Sequence, residues 1–299
     1  MGRHSVQTVK QGVRVQDQLS GFDEILALCP LRSGGFIVTV FGDVAFPADE
    51  ALWIGHLIDL CADLGISETL VRTSVSRLVA AGQLVGTRHG RRSYYALAPG
   101  ARAEFERAAQ VIYTAPQERP WRFLFFPDGH APDGLERLGM AALSPQLGFG
   151  PARGAVPEGA VAFTAHADGA QADLTAMLAR VFPLETLAQE YRAFCELART
   201  VSALPDPSSK AALQARLVLT HAWRKVALRD PRLPANLLPT GHPEPKARAV
   251  FARSYLALCA QAESHERSLL ALKDAQNTMR DSVIAARRAA LQSSLLDST

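Results

Sequence analysis

Apolar residues between Ala51 and Leu64 fall at Leu52, Trp53, Leu57, Ile58, Cys61 and Leu64, the spacing of a buried helical stripe. Gly65 stops that run, as glycine does just past a helix C-terminus. Ile66 is placed to plug the core, and Ser67 stands at an N-cap position with Glu68 in the first turn. A second helix is expected from about Glu68 to Ala81, burying Val71, Val75, Leu78 and Val79, with Leu70 at its flank and Gly82 as its stop. The period then shortens. Leu84 to Thr87 and Tyr94 to Leu97 read as short strands around Arg88-His89-Gly90-Arg91-Arg92-Ser93, where Gly90 permits the positive φ of a hairpin turn. Ser33 to Phe46 supplies a preceding helix. Helix, turn, helix and hairpin in this order are the grammar of a winged helix-turn-helix, which places its second helix in the DNA major groove.

The polar face of that second helix carries the chemistry. A solvated helix favours Glu, Lys and Gln, whereas this one shows Thr69, Arg72, Thr73 and Ser76, with Arg77 at the edge. Short hydroxyls allow close approach to phosphates, and Arg can bond guanine O6 and N7 together. Arg72 is the expected base reader, with Thr69 and Ser76 one turn to either side. Thr73 is a candidate for base or phosphate contact, and Ser67, Ser76 and Arg77 for phosphate contact. Arg88, His89, Arg91 and Arg92 on the loop are candidates for backbone or minor-groove contact. The plainer reading, a helix-turn-helix used only for packing, loses ground once the basic hairpin follows directly.

Charge supports a defined docking face rather than a general affinity for polyanions. Residues 66–98 hold five Arg against one Glu, while residues 32–65 hold one Arg against five acids. The net charge of the 299-residue chain is only +3, so the distribution matters more than the total. An apolar fraction of 48% suffices for real cores, and two or three domains are expected at this length. No run of 18 apolar residues is present, so no membrane span is expected. The first 21 residues lack an apolar signal core, which points to a cytoplasmic location. Cys29, Cys61, Cys195 and Cys259 are scattered and read as buried inert thiols, and the eight His show no metal-ligand spacing.

The remaining pattern divides the chain into an arm (1–31, with Phe22, Ile25, Leu26 and Leu28 as a short docking helix), the winged unit (32–98) and a linking helix (99–117). A middle α+β unit (118–183), a helical unit (184–270) and a tail (271–299) follow. In the middle unit, Trp121–Phe126 reads as a strand, Gly134–Leu143 as a helix, Leu147–Gly150 and Gly159–Thr164 as strands, and Gln171–Phe182 as a helix, a βαββα order. The tail lacks aromatics and is expected to pack weakly. Between Lys210 and Arg232 lie six cations against Asp230, the densest basic run in the chain. It reads equally as a site for a polyanionic small molecule, with Trp223 stacking, or as a solvated face with Trp223 in the core.

Three blocks carry a family resemblance: TVFGDVAFPADEALWIGHLIDLCADLGISETLVRTSVSRLVAAGQLVGTRHGRRSYYAL, YRAFCEL and RLVLTHAWRKVALRDPRLPANLLP. The chain resembles the PaaX family, repressors of phenylacetic acid degradation operons. The resemblance implies a winged helix-turn-helix, a middle ferredoxin-like (Cas2-like) α+β domain and a C-terminal helical domain. It also implies a homodimer on double-stranded palindromic operator DNA, released by an aryl-CoA effector such as phenylacetyl-CoA. By position, Leu70 to Val79 is the recognition helix and Thr87 to Tyr94 the wing. Effector contacts are placed on Arg216, His221, Trp223, Arg224, Lys225 and Arg229. The chain departs from the family at Phe182, over Gly148–Ala165 and in a tail beyond Ser268. No cofactor, metal site or catalytic motif is expected. The alternatives are a regulator answering to a different acyl-CoA, or a nuclease on the middle unit, for which Asp128 has no evident partner carboxylate.

Overall fold

The computed structural model describes residues 22–127, 134–270 and 274–296. Asp128 lies outside them. The fold is α+β, built from helices and two antiparallel sheets.

The first unit begins with α1 (Phe22–Leu28), which meets α2 (Ser33–Ala48) at 113°. Phe36, Ile37, Val40, Phe41, Val44, Ala45 and Ala48 bury α2 on several faces, so it forms the axis of the unit. At Phe41–Ala45 the helix widens into one π-turn, a device that frees backbone carbonyls and often marks functional positions. Then come β1 (Leu52–Trp53), α3 (Ile54–Ala62), α4 (Glu68–Ala80), β2 (Leu84–His89) and β3 (Arg92–Leu97), with sheet order β1-β3-β2. The helix expected from Ala51 starts at Ile54 because Leu52 and Trp53 pair with Tyr95 and Tyr94. On α4 the buried line is Val71, Ser74 and Val75. Leu78 is half-buried and Val79 exposed, a correction to the expected stripe. The polar Ser74 is accommodated by a 2.8 Å hydrogen bond to Ser33 on α2.

A linking helix, α5 (Arg102–Tyr113), leads to β4 (Trp121–Phe125), β5 (Ala141–Ser144), β6 (Leu147–Pro151) and β7 (Val161–Ala165). These four form an antiparallel sheet of order β5-β6-β4-β7, with Phe123 opposite both Phe149 and Phe163. The helix expected over Gly134–Leu143 is absent. A 3₁₀ turn at Leu135–Leu138 stands there, bounded by Gly134 and Gly139 in the left-handed region (φ 93° and 67°), and β5 takes the rest. Two glycines with positive φ leave no room for a helical run between them.

Five helices complete the fold: α6 (Gln171–Val181), α7 (Leu184–Ser202), α8 (Ser209–Ala227), α9 (Glu244–Leu269) and α10 (Asp274–Leu296). Helix α8 is central, buried on all sides from Ala211 to His221 and packed on α7, α9 and α2. One core joins the first unit to Ala211–Val218 of α8 and to Leu258, Ala262 and Leu269 of α9. A second joins the end of α5, Trp121 and Phe149 to helices α6–α9. The tail, expected to pack weakly, is a helix that buries Arg280, Ile284, Arg287 and Leu291. Its inward stripe is at helical spacing, but it includes Arg280 and Arg287, so hydropathy conceals it.

Among the described residues no single helix is long and apolar enough to cross a membrane, and no His, Cys, Asp and Glu group could hold a metal. Cys29, Cys61 and Cys259 are buried free thiols, and Cys195 is half-buried. Burial pushes the Cys61 thiol up to about 12.

Candidate nucleic-acid interface

The turn between α3 and α4 is set by Gly65 at φ 74° and by backbone bonds from Gly65 and Ile66 to Ala62 and Cys61 carbonyls. Ile66 is buried there. Ser67 is the N-cap of α4, its hydroxyl accepting from the Leu70 amide. With Val71 and Val75 fixed inward, Ser67, Thr69, Arg72, Thr73, Ser76 and Arg77 are all exposed. Thr69, Arg72, Thr73 and Ser76 recur at i, i+3, i+4 and i+7, so they share one face. Arg72 is not a free side chain. Its Nε and one terminal nitrogen each lie 2.7 Å from Glu68 Oε1, one turn back, with both residues more than half exposed.

Beside α4 stands the β2–β3 hairpin. Gly90 has φ 60° and Arg91 does not, the pattern of a tight two-residue turn with glycine first. A groove of about 350 Å³ separates helix from hairpin, lined by Ser76, Val79, Thr87, Arg88, Ser93 and Tyr95. The cations on the hairpin differ in freedom. Arg88 Nε donates to Gly90 O at 3.2 Å. Arg92 lies 4.7 Å above the Trp53 ring, and His89 packs edge-on against Tyr94. Arg91 and Arg77 are exposed and have no side-chain partner among the described residues.

Two contributors escaped sequence reading. Trp53 on β1 is a platform for Arg92 and touches His56 at 4.9 Å between ring centroids. Glu68 holds Arg72. An i, i+4 Glu–Arg spacing was visible as the only available signal for the second. Nothing in the pattern showed that Trp53 would pair with the hairpin.

The six residues assigned to an effector do not form one surface. Arg216 is fully buried, with Nε 2.9 Å and Nη2 2.8 Å from Asp43 Oδ2 and Nη2 2.6 Å from Glu266 Oε2. Trp223 is fully buried, donates to Ile112 O and stacks on Phe251 at 5.0 Å. His221 is buried, bonded to Thr39 Oγ1 at 3.0 Å. Burial, with Arg224 and Lys225 nearby, pushes this imidazole down to about 4. Arg224 is half-buried and donates to Gly35 O and Thr39 Oγ1. Lys225 is exposed, and Arg229 is exposed and bonded to Glu190. The reason is geometric: α8 is buried on every side from Ala211 to His221, and the cations there and beyond point to different elements. Two of the six line clefts, but different ones: Arg229 borders one with Gly134, Met140, Phe182 and Pro231, and Arg224 borders another. This second space, about 120 Å³, lies between α2, α5 and α8, with Val38, Thr39, Phe105, Ala109 and Ile112 among its walls.

The family model described as PaaX-like protein matches residues 32–101, and that described as PaaX-like protein C-terminal domain matches residues 182–268, together more than half of the chain. The chain is 28% identical over 245 residues to the transcriptional repressor PaaX of Escherichia coli (strain K12), covering 70% of this chain and 75% of that protein. A solved structure, an uncharacterised protein of Mycobacterium tuberculosis, is 24% identical, covers 76% of this chain and 96% of its own, and superposes with a TM-score of 0.47.

Proposed function

The chain belongs to the PaaX-like family, and from that premise we propose that it is a DNA-binding transcriptional repressor whose first unit, a winged helix-turn-helix, is the reading head. One observation carries the reading: Thr69, Arg72, Thr73 and Ser76 form an exposed face of α4 beside a hairpin that carries exposed Arg88, Arg91 and Arg92, with Ser76 and Arg88 lining the groove between them. Such a face fits the major groove, with the hairpin cations reaching the flanking backbone. Glu68 holds the Arg72 guanidinium ready for a guanine edge. Ser67, Ser76, Arg77 and His89 fall where phosphates pass.

The four-stranded unit is ferredoxin-like, its strand order β5-β6-β4-β7 being that of a βαββαβ sheet, although among the described residues no α-helix lies between its strands. The protein acts in the cytoplasm as a homodimer on a two-fold operator, in an aromatic acid (phenylacetate) catabolic operon, without enzymatic activity. An aryl-CoA such as phenylacetyl-CoA, or another acyl-CoA, relieves repression. Its acyl end enters the cleft beside Arg224, which has no carboxylate within ion-pair distance among the described residues and whose walls belong to head, linking helix and body together. A ligand held there shifts the head only in so far as it prefers one head position over another.

Footprinting and gel shifts on the promoter upstream of the chain's own gene test this. Protection of a two-fold site by the protein, and its loss on adding phenylacetyl-CoA, are expected. Absence of any protected site removes the repressor reading, while protection indifferent to saturating thioester removes the effector alone.

A further inference from the structure

The contact between the C-terminal helix and the first unit has no counterpart in the regions matched by the family models, which end at residue 268. It centres on Asp43, in the π-turn of α2. Five helices meet at this one carboxylate, which is fully buried. Tyr113 of α5 donates to Oδ1 at 2.7 Å and Tyr255 of α9 at 2.8 Å. Arg216 of α8 bonds Oδ2, and Arg287 of α10 bonds Oδ1 at 2.9 Å. Arg287 also donates to Asp43 O at 3.2 Å, reaches Gly42 O at 3.4 Å, and lies 4.0 Å over the Tyr113 ring. It thus takes up carbonyls of the π-turn, and binds the head, the linking helix and the body in one set of bonds.

Buried ion pairs add little net stability over a well-packed apolar filling, yet they are satisfied by only one geometry. What such a cluster supplies is position. We propose that Arg287, through Asp43, fixes the angle of the reading head on the body and thereby determines which spacing between operator half-sites the dimer accepts. The proposal rests on the reading of the chain as a dimeric DNA-binding protein. Arg287 is a positioning residue on this account. It touches no DNA, and the bases are read by α4 whatever Arg287 does.

Two measurements on the full chain test it. In the first, duplexes carrying two half-sites at varied spacing are ranked by affinity. Arg287→Ala is expected to keep the base preference within each half-site but to lose roughly tenfold in discrimination between spacings, a size typical of coupling between sites. Arg287→Lys, which keeps one charged donor, is expected to restore part of it. Tyr113→Phe removes a single donor without emptying the core, and is expected to shift the ranking in the same direction should Arg287→Ala not fold. The second needs no DNA. Spin labels at Ala80→Cys in the head and Arg192→Cys in the body, in a Cys195→Ser background, report the head-to-body distance. A narrow distribution that broadens in Arg287→Ala and Tyr113→Phe supports the proposal. Distances equally narrow in the variants overturn it, as does an unchanged spacing preference alongside a lowered melting temperature. If no duplex is bound specifically, the DNA-binding reading fails, and the label distances still decide whether Arg287 sets the head.

Discussion

At the scale of single residues, two side chains lend themselves to measurement. Arg72→Ala is expected to lose about 1–3 kcal/mol of sequence discrimination per half-site while remaining folded, because the side chain is exposed and, among the described residues, bonds to Glu68 alone. Competition gel shifts against single-base operator variants read this directly. Unchanged discrimination would transfer the reading role to Thr69 or Thr73. His221 gives a pH dependence. It is neutral in the folded chain down to about 4, while an unfolded histidine takes up its proton near pH 6.5. Between these values the unfolded state binds more protons, so stability falls as pH drops through the window, by up to roughly 3 kcal/mol. His221→Gln should flatten the difference in melting temperature between pH 7 and pH 4 relative to the unaltered chain, and equal slopes would remove the assignment. Residue types on α4 were readable because exposed hydroxyls and arginine depart from a solvated norm. The fate of Arg216 and Trp223 was not. A cation on a helix reads as surface until its buried carboxylate partners, here Asp43 and Glu266, 173 and 50 residues away, are known.

Elements show how side chains are held. The hairpin is supported from below by Trp53 on β1, and Gly55 makes that possible: a Cβ there would come within 2.5 Å of the Trp53 ring. Gly55→Ala therefore displaces the platform under Arg92. Its expected effect is weaker operator binding with base preference kept, since α4 is untouched, together with altered tryptophan fluorescence. A variant binding as tightly as the original would show that Trp53 does not position the hairpin. The helix-turn-helix and hairpin were legible as elements since Gly65, Ser67, Gly82 and Gly90 punctuate them by their own backbone chemistry. The middle sheet was half legible. Its aromatic strand Trp121–Phe125 stood out, but Gly134 and Gly139 break what hydrophobic spacing alone suggests is a helix.

At the scale of the whole molecule, Arg72, Arg77, Arg88, Arg91 and Arg92 are all exposed on the first unit. The logarithm of operator affinity should fall linearly with the logarithm of salt concentration, with a slope set by the phosphates engaged, and Arg91→Ala should lower the size of that slope by about one unit per half-site. An unchanged slope would place Arg91 away from the backbone. What sequence could not show at this scale is how the units join, because the joining surfaces are built from residues far apart in the chain. Thr39 and His221, Asp43 and Arg287, and His56 and the Leu269 carbonyl are such pairs.

The shared core has a consequence for portability. The apolar side of the head is completed by Ala212, Leu213, Ala215, Leu217 and Val218 of α8, more than a hundred residues downstream. Cut out after the linking helix, the head would leave that side in water, and it should not melt as a cooperative unit. Reading heads of this kind cannot be traded between proteins as cassettes. On the proposed reading, a lineage that needs a new DNA address must instead rewrite the exposed side of α4 one side chain at a time, leaving the inner side as it is.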